Sequence, residues 1–566
     1  MKKSLVKSYL PYLWILFLGA VVHYGIEFRW LLRDFISGDT LLFIPWLEYL
    51  QQTGLKNALA NPISTMDYTP MFTYLMGGVN ILFPDTESHY LIKLITNFGD
   101  VLITVAAYHL LRSAKCSPSK AFAGAATIFV LPTVILNSNS FTQIESLVAA
   151  PLIIGVSFML RNRLSLAMLC FGLAFSIKLQ SVFIFPALVI LMISHGQKLR
   201  NMLLIPFVYL ITILPTYFAG RDMSDLLLIY KFQTGLFGKL TLNAANVYHW
   251  LPKNYSVFVP LGLLFTLGVL FLVMVRKPQN LSSPENQLLF IATSLVFITF
   301  FLPKMHERYA YFSDVFTVLT AFAIPHLWPA AVLMVGASFY SYLPFLYLGD
   351  KLGKFFPFLA LLAFGALVLL YQEIERRQVI DLRKILSPVI DLRKIISPLT
   401  EFLKALHQLV WSDRTRLAVM LAYGIILIGL TQWNWLKLHE IHGYEKHEVL
   451  RYTILTPIGG FFFVYVWSII NATLNLIVPI PAYQRYWILD LPSWGVFVLF
   501  LGGHVVLDQS MKGGPVMLMM LACFFVVRIL GNRKYNLLIT KRLINLSLTY
   551  VLQISKRLID LSRTYV

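Results

Sequence analysis

The stretch that decides the class of fold reads LLFIATSLVFITFFL (288–302), PKMHERY (303–309) and AYFSDVFTVLTAFAIP (310–325). Two apolar runs, typical of helices that cross a membrane, enclose seven residues of which five are polar or ionisable. Ionisable groups at a membrane boundary are costly to desolvate and usually mark a site. The stretch therefore predicts a site in which its lysine, histidine and arginine converge on an anion such as a phosphate. The alternative is a short basic turn between two helices.

The composition extends this interpretation to the whole chain. Hydrophobic residues make up 58% of the 566 residues, charged residues make up 13%, and the mean hydropathy is +0.70. These values predict an all-α polytopic membrane protein rather than a soluble one. The net charge of +20 is expected from Lys and Arg in cytoplasmic loops and next to anionic lipids, not from a nucleic-acid partner. The three cysteines have neither metal-site nor disulfide spacing.

The basic residues predict the orientation of the chain. Lys2, Lys3 and Lys7 place the N-terminus in the cytoplasm, and no cleavage site follows the first apolar run, which is therefore expected to be retained. Everything from residue 28 to 89 then forms one large external loop, in which residues 71–83 are too short to cross and fit an interfacial or re-entrant helix. The predicted spans, about 12, are residues 9–27, 90–111, 121–136, 146–160, 164–177, 181–195, 201–218, 255–275, 287–302, 311–325, 328–348 and 355–371, with 164–195 as the alternative of one long tilted span.

The chain is predicted to have four parts. Residues 1–372 form the catalytic transmembrane module, and 373–411 form an amphipathic basic linker that contains VIDLRKILSP and its near-copy VIDLRKIISP. Residues 412–531 form an additional transmembrane module of unknown role with about four spans. Residues 532–566 form a basic amphipathic tail, which places the C-terminus in the cytoplasm.

Four polar segments fall on the outer face in this topology: Ser37–Pro70, Asn137–Glu145, Gly220–Trp250 and Pro303–Tyr309. Polar segments that are distant in sequence and meet on one side of a membrane are the usual components of a membrane active site. We therefore expect them to meet in one active site on the periplasmic or lumenal face.

The motifs in these segments have a recognisable order. They are an acid after the first span (Asp39), D-Y-T-P (67–70), N-S-x-x-x-x-Q-x-E-S (137–146), K-L-Q (178–180), N-A-A-N (243–246) and M-H-E-R-Y (305–309). In this order residues 1–372 resemble the GT-C superfamily of membrane glycosyltransferases. The nearest branch is that of the bacterial relatives of the glycosylphosphatidylinositol mannosyltransferases, and the dolichol-linked glucosyltransferases are more distant. The usual aromatic residue and Gly before the Gln are Phe141 and Thr142 here, so Thr142 departs from the pattern, as do Glu145 for the commoner Asp and Thr69 where Pro is frequent.

The resemblance implies a GT-C fold and an inverting transfer of a sugar, mannose or glucose, on the outer face. The donor would be a polyprenyl-phosphate-linked sugar, and the acceptor a hydroxyl on a lipid or glycan. Membrane lipids are the expected surroundings, and no cofactor is expected apart from the donor substrate.

The chemistry of transfer needs an acid–base group and a holder for the leaving phosphate. Asp39 is predicted to take the proton of the acceptor hydroxyl; it could equally N-cap a helix over residues 40–52, and the two roles are compatible. His306 and Arg308 are the first candidates for holding the phosphate, and Lys304 and Lys178 are the second. Lys178 could instead extend from a helix end towards the membrane surface.

The remaining candidates would position substrate or take a second acid role. Asp67 is either a second acid or part of an Asx turn before Pro70. Gln143 and Glu145 either orient sugar hydroxyls or cap the following helix. The other predicted positioning residues are Tyr68, Gln180, Asn243, Asn246, Glu307 and Tyr309.

A metal site is not expected. Asp34 and Asp39 stand five positions apart and lack the D-x-D or D-D spacing of metal-dependent relatives. The sequence HEIH (439–442) lacks the H-E-x-x-H spacing, so a solvated loop is the better interpretation.

Two other classes of protein share these features. A flippase or transporter for polyprenyl-linked glycans would also be polytopic and basic, although internal repeats would be expected and none are found within residues 1–372. An O-antigen-type polymerase or ligase would have its large external loop late in the chain.

Overall fold

The computed structural model describes residues 19–380, except for residues 20–21, 24, 28, 31, 37, 236–237, 277 and 345–355. Nearly all described residues belong to one compact unit, Gly25–Ile390, and most of them are helical, as predicted. Several predictions lie outside the described residues: most of the span 9–27, the repeats in the linker, HEIH (439–442), the module 412–531 and the tail 532–566. The four predicted domain boundaries stay predictions.

The first half of the described chain contains one connected series of helices. They are α1 (Thr40–Thr53), α2 (Leu55–Ala60), α3 (Pro70–Leu82), α4 (Ser88–Ser113), α5 (Pro118–Phe129), α6 (Pro132–Ile135), α7 (Glu145–Leu160), α8 (Leu164–Ile177) and α9 (Phe185–Ser194). A π-helical turn (Leu136–Ser140) follows α6, and a 3-10 helix (Leu179–Ile184) precedes α9. Residues 164–195 thus form two helices separated at Lys178, not one long one.

The second half adds seven α-helices, two very short strands and four 3-10 helices. The α-helices and strands are α10 (Leu204–Ala219), α11 (Met223–Gly235), β1 (Thr241–Leu242), α12 (Tyr255–Arg276), α13 (Pro284–Phe301), β2 (Met305–His306), α14 (Tyr311–Ala323), α15 (Trp328–Leu343) and α16 (Phe356–Arg376). The 3-10 helices are Leu199–Leu203, Val247–His249, Glu307–Ala310 and Pro325–Leu327.

Five described helices are long and apolar enough to cross a membrane: Ser88–Ser113, Leu199–Ala219, Tyr255–Arg276, Pro284–Phe301 and Phe356–Arg376. A sixth is counted if α5 and the helical residues 132–140, which meet at a 43° bend, form one span. These helices indicate a membrane protein. The predicted number of about 12 spans, the orientation of the termini and the interfacial position of α3 stay predictions.

Glycines allow the central helices to pack closely. A Cβ at Gly99 in α4 would lie 2.5 Å from Ser146 Oγ in α7. A Cβ at Gly155 in α7 would lie 2.6 Å from Cε1 of Phe171 in α8. Small residues at such points let helix backbones approach, as they do in membrane bundles. The buried core therefore centres on α4, α7 and α8, and α13, α14 and α16 continue it.

Two helices contribute little to this core. Only 17% of an apolar 18-residue stretch of α12 is buried in the folded chain, and only 22% of such a stretch in the helix Leu199–Ala219. The exposed side chains of α12 include Leu264, Phe265 and Phe271. Apolar faces of this size suit contact with lipid, where no polar partner is required.

Within the residues that the structure describes, one pair of short strands departs from the all-α prediction. β1 and β2 pair in parallel, with Thr241 opposite Met305 and Leu242 opposite His306. The Lys304 N–H also donates to the Leu240 carbonyl at 2.8 Å. This pairing joins the third polar segment, Gly220–Trp250, to PKMHERY (303–309). Each strand has only two residues, which is too short for a pattern of alternating residues to predict it from the sequence.

Candidate functional site

Asp39 immediately precedes α1, yet its side chain makes no capping hydrogen bond. Its backbone carbonyl accepts from the Leu42 and Phe43 N–H groups and begins the helix. Its Oδ2 instead lies 3.6 Å from Nη2 of Arg308. The Asp39 side chain is 27% exposed and that of Arg308 is 15% exposed. We call these two residues the Asp39 pair.

The short strand β2 and the 3-10 helix after it place Arg308. Its Nη1 lies 3.1 Å from Oε1 of the fully buried Glu307 and 3.5 Å from Nδ1 of His306. Glu307 thus holds one side of the guanidinium while the other side faces Asp39. Arg308 is therefore contacted from two sides, and its planar fork of N–H donors is a geometry suited to an oxyanion.

The neighbouring groups differ in charge. Burial raises the pKa of Glu307 to about 7, although the charge of Arg308 partly offsets that rise. Burial lowers the pKa of His306 to about 2, and the positive charges of Arg308 and Lys178 add to the effect. His306 is consequently neutral, so the positive charge beside Asp39 comes from Arg308. The predicted role of His306 in holding a phosphate stays a prediction, and in the neutral form it would act through hydrogen bonds rather than charge.

A second ion pair lies deeper. Lys178, at the end of α8, directs its Nζ to Oε1 of Glu145 at 2.7 Å and to Oε1 of Gln143 at 2.7 Å. The Lys178 side chain is 4% exposed and that of Glu145 is 1% exposed. We call Lys178 and Glu145 the Lys178 pair. Lys178 therefore points into the folded chain rather than towards a membrane surface. The helix α7 begins without a side-chain capping bond, so Gln143 and Glu145 do not cap it.

Tyr68 connects the D-Y-T-P motif to this pair. Its hydroxyl donates to Oε1 of Gln143 at 3.0 Å, and the Nζ of Lys178 lies 5.1 Å from the centroid of its ring. The ring packs against Phe43, Trp46 and Phe72. These aromatic contacts fix the position of the Tyr68 ring. The ring in turn makes a cation–π contact with the buried Lys178.

The carboxyl group of Asp67 interacts electrostatically with a cation of each pair. Burial raises the pKa of the Asp67 carboxyl, and the charges of Lys178 and Arg308 partly offset that rise. Its backbone carbonyl accepts from Nε2 of Gln233 at 2.6 Å, so α11 also reaches the site. All four predicted segments and Lys178 are thus brought together.

Other predicted residues lie at the edge of the site. The Tyr309 ring lies 5.0 Å from that of His306 and 6.0 Å from that of Phe183, and its hydroxyl interacts with Gln180. Asn243 forms a bridge to the strand residue His306. These contacts support the position of His306.

Two further predicted residues make contacts outside the Asp39 pair. The side chain of Asn246 accepts from the Tyr248 N–H at 3.3 Å and caps a 3-10 helix. Lys304 has a positive φ of 64°, and its Nζ lies 5.5 Å from the centroid of the Tyr255 ring. Neither contact involves the Asp39 pair.

Several buried polar atoms around the two pairs have no hydrogen-bond partner among the described residues. They include Asp67 Oδ1, Gln143 Nε2, Glu145 Oε2, Gln180 Oε1, Glu307 Oε2 and Arg308 Nε. Buried polar groups are normally satisfied, so a cluster of exceptions needs an explanation. Four carboxylate or amide oxygens and two N–H donors in one region suit the hydroxyl groups of a sugar.

Sequence reasoning missed Thr40 and Thr142. Their Oγ1 atoms lie 2.8 Å apart, which links the Asp39 segment to the N-S-N-S-F-T-Q segment. Thr142 adopts a φ of 54°, a region that β-branched residues rarely enter. The one available signal was that the resembled family usually has Gly at this position.

Among the described residues no group of three or more His, Cys, Asp and Glu side chains is arranged to hold a metal ion. No protein-family model matches the chain, and no curated protein matches it. The function therefore has to be argued from the site itself.

Proposed function

We propose that this chain is an inverting glycosyltransferase that moves a hexose from a polyprenyl-phosphate donor to a hydroxyl of a lipid or glycan acceptor. The observation that carries the proposal is the Asp39 pair, in which a half-buried carboxylate faces a fixed guanidinium at 3.6 Å. Transfer from a phosphate donor needs a proton acceptor close to a group that stabilises the leaving anion.

In the proposed reaction the Asp39 carboxylate takes the proton of the acceptor hydroxyl. The acceptor oxygen forms a bond to the anomeric carbon, and the bond from that carbon to the phosphate oxygen breaks. The electron pair leaves with the polyprenyl phosphate, and Arg308 compensates its charge. One direct displacement inverts the anomeric configuration.

The Lys178 pair would act on the sugar rather than on the phosphate. The 2.7 Å contacts of Lys178 Nζ occupy it with Glu145 and Gln143. The second oxygen of Glu145 and the amide nitrogen of Gln143 are buried without partners among the described residues. Sugar hydroxyls would supply those partners, so this pair would orient the ring.

The expected surroundings agree with a lipid-linked donor. Helices long enough to cross a membrane carry the site, and α12 exposes an apolar face. A polyprenyl tail would lie in the same apolar phase as these helices. We further propose that the active site lies on the periplasmic or lumenal face and that the reaction needs no metal ion.

The test is transfer by the purified full-length protein in nanodiscs. The protein is given each of a panel of polyprenyl-phosphate hexoses, a lipid extract as the source of acceptors, and EDTA, and mass spectrometry detects new glycosides. We expect product from one donor, with or without EDTA. Donors that bind but are never consumed would contradict the proposal, and transbilayer movement of the same donors would then favour a flippase.

A further inference from the structure

Thr142 links the two pairs of the site. Its side chain lies 2.8 Å from that of Thr40, the residue after Asp39. The next residue is Gln143, which contacts both Tyr68 and Lys178. We propose that Thr142 is a positioning residue that sets the place of the Asp39 carboxylate relative to the sugar-orienting groups. This inference rests on the proposed transferase function.

The hydroxyls of the two threonines belong to one short chain of hydrogen bonds. Thr142 Oγ1 donates to the Phe141 carbonyl at 2.7 Å. Either hydroxyl could donate in the 2.8 Å contact between them, and donation by Thr40 satisfies both hydrogen bonds at once. Both side chains are fully buried, so water does not compete for this bond. The bond therefore acts as a brace between α1 and the segment that contains Gln143.

The residue before Asp39 also lies close to this segment. Gly38 has a φ of 54°, and a Cβ at this position would lie 3.3 Å from Cδ1 of Phe141. The chain on both sides of Asp39 therefore runs beside the same segment, with Gly38 next to the Phe141 ring and Thr40 hydrogen-bonded to Thr142.

The bracing segment is itself anchored. The Ser138 hydroxyl donates to Oδ2 of Asp100 at 2.7 Å. Asn139 and Asn97 exchange hydrogen bonds of 2.9 and 3.2 Å. A π-helical turn over Leu136–Ser140 redirects the chain before the brace. Turns of this kind occur frequently at functional sites, since they re-aim side chains.

This arrangement requires Thr142 to adopt a strained backbone conformation. A β-branched residue at a φ of 54° is strained, and such strain persists only where the surrounding structure enforces it. Glycine would relieve the strain, but it has no hydroxyl to accept from Thr40. The Thr142 hydroxyl is therefore the group to which we assign the positioning role.

The test compares kinetics of full-length variants in nanodiscs. Thr40→Val removes the donor with little change in shape, and we expect kcat to fall about tenfold with the donor KM nearly unchanged, because a small misplacement of a reacting group is costly. Thr142→Gly should lower kcat similarly, and the double variant should be no worse than either single one. Thr142→Ser keeps the hydroxyl and should restore most of kcat.

Thr317→Val is the matched control, because Thr317 is also fully buried and hydrogen-bonded to the backbone but lies in α14. A wild-type kcat in Thr40→Val would overturn the inference while leaving the transferase proposal intact. If wild type transfers no sugar, the proposed function fails instead. The brace is then tested alone by oxidising Thr40→Cys/Thr142→Cys, which should form a disulfide seen by intact mass; failure to form it overturns the brace.

Discussion

The Lys178 pair and the Asp39 pair lie in one site but differ in burial and in distance. The first has an N–O distance of 2.7 Å with side chains 4% and 1% exposed, and the second has a distance of 3.6 Å with side chains 15% and 27% exposed. Separating charges in a sealed environment is costly, whereas a looser and wetter pair exchanges partners readily. The comparison indicates that the Lys178 pair holds geometry, and in the proposed transfer the Asp39 pair would be the one that reacts.

The largest effect is expected from breaking the sealed pair. Lys178→Met leaves Glu145 buried without its cation, so the free energy of unfolding should fall by about 3–5 kcal/mol. The double variant Lys178→Met/Glu145→Leu should recover much of that loss. Denaturant titration in detergent measures both, and Lys56→Met, at an exposed position on α2, is the control. A stable single variant would mean that the pair is not structural.

Removing Arg308, the cation that we propose stabilises the leaving phosphate, should affect the rate of transfer more than the stability of the fold. Arg308→Gln should lower the transfer rate about 10²- to 10³-fold, which is typical of losing one group that stabilises a developing anion. Arg308→Lys keeps the charge without the planar fork and should fall in between. Product formation over time measures the rate. Equal rates in the two variants would show that charge alone does not explain the role of Arg308.

The buried acid beside Arg308 should make stability depend on pH. Because burial raises the pKa of Glu307 to about 7 from 4.5, the folded state holds its proton more tightly than the unfolded state. The contribution of Glu307 to stability is therefore largest at acidic pH and falls as the pH rises from about 4.5 to 7. Glu307→Gln should remove this component, a change of roughly a few degrees in unfolding temperature across that range. An unchanged pH dependence in the variant would contradict the assignment.

The smallest effect tests whether the Asp39 pair exchanges partners. If the donor phosphate displaces Asp39 from Arg308, Asp39→Asn should tighten donor binding about two- to fivefold, because a competing ion pair of modest strength is removed. Equilibrium binding of a radiolabelled donor measures this. Weaker binding in the variant would mean that Asp39 and the donor do not compete.

The helices were largely predictable, since apolar runs bounded by basic residues give clear limits. The predicted span 255–275 corresponds to α12 (Tyr255–Arg276), and 146–160 corresponds to α7 (Glu145–Leu160). The helix predicted over residues 40–52 is α1 (Thr40–Thr53). Length and hydropathy suffice for such elements because each helix satisfies its own backbone.

The partners within the site were less predictable. Motifs indicated that Asp39, Lys178 and Arg308 belong together, but not which carboxylate each cation contacts. A lysine at a helix end can turn inward or outward, and only the packing of Tyr68 and Gln143 decides for Lys178. The positive φ of Thr142 has no sequence signal of its own, because threonine is normally excluded from that conformation.

The most direct test of the central claim is single-turnover donor consumption by wild type, Asp39→Asn and Asp85→Asn. Asp85 is an exposed acid in the same predicted external loop, so it controls for loss of a carboxylate. We predict that Asp39→Asn binds donor but consumes it roughly 10²- to 10⁴-fold more slowly, as expected for loss of a general base, while Asp85→Asn matches wild type. Wild-type consumption by Asp39→Asn would contradict the account.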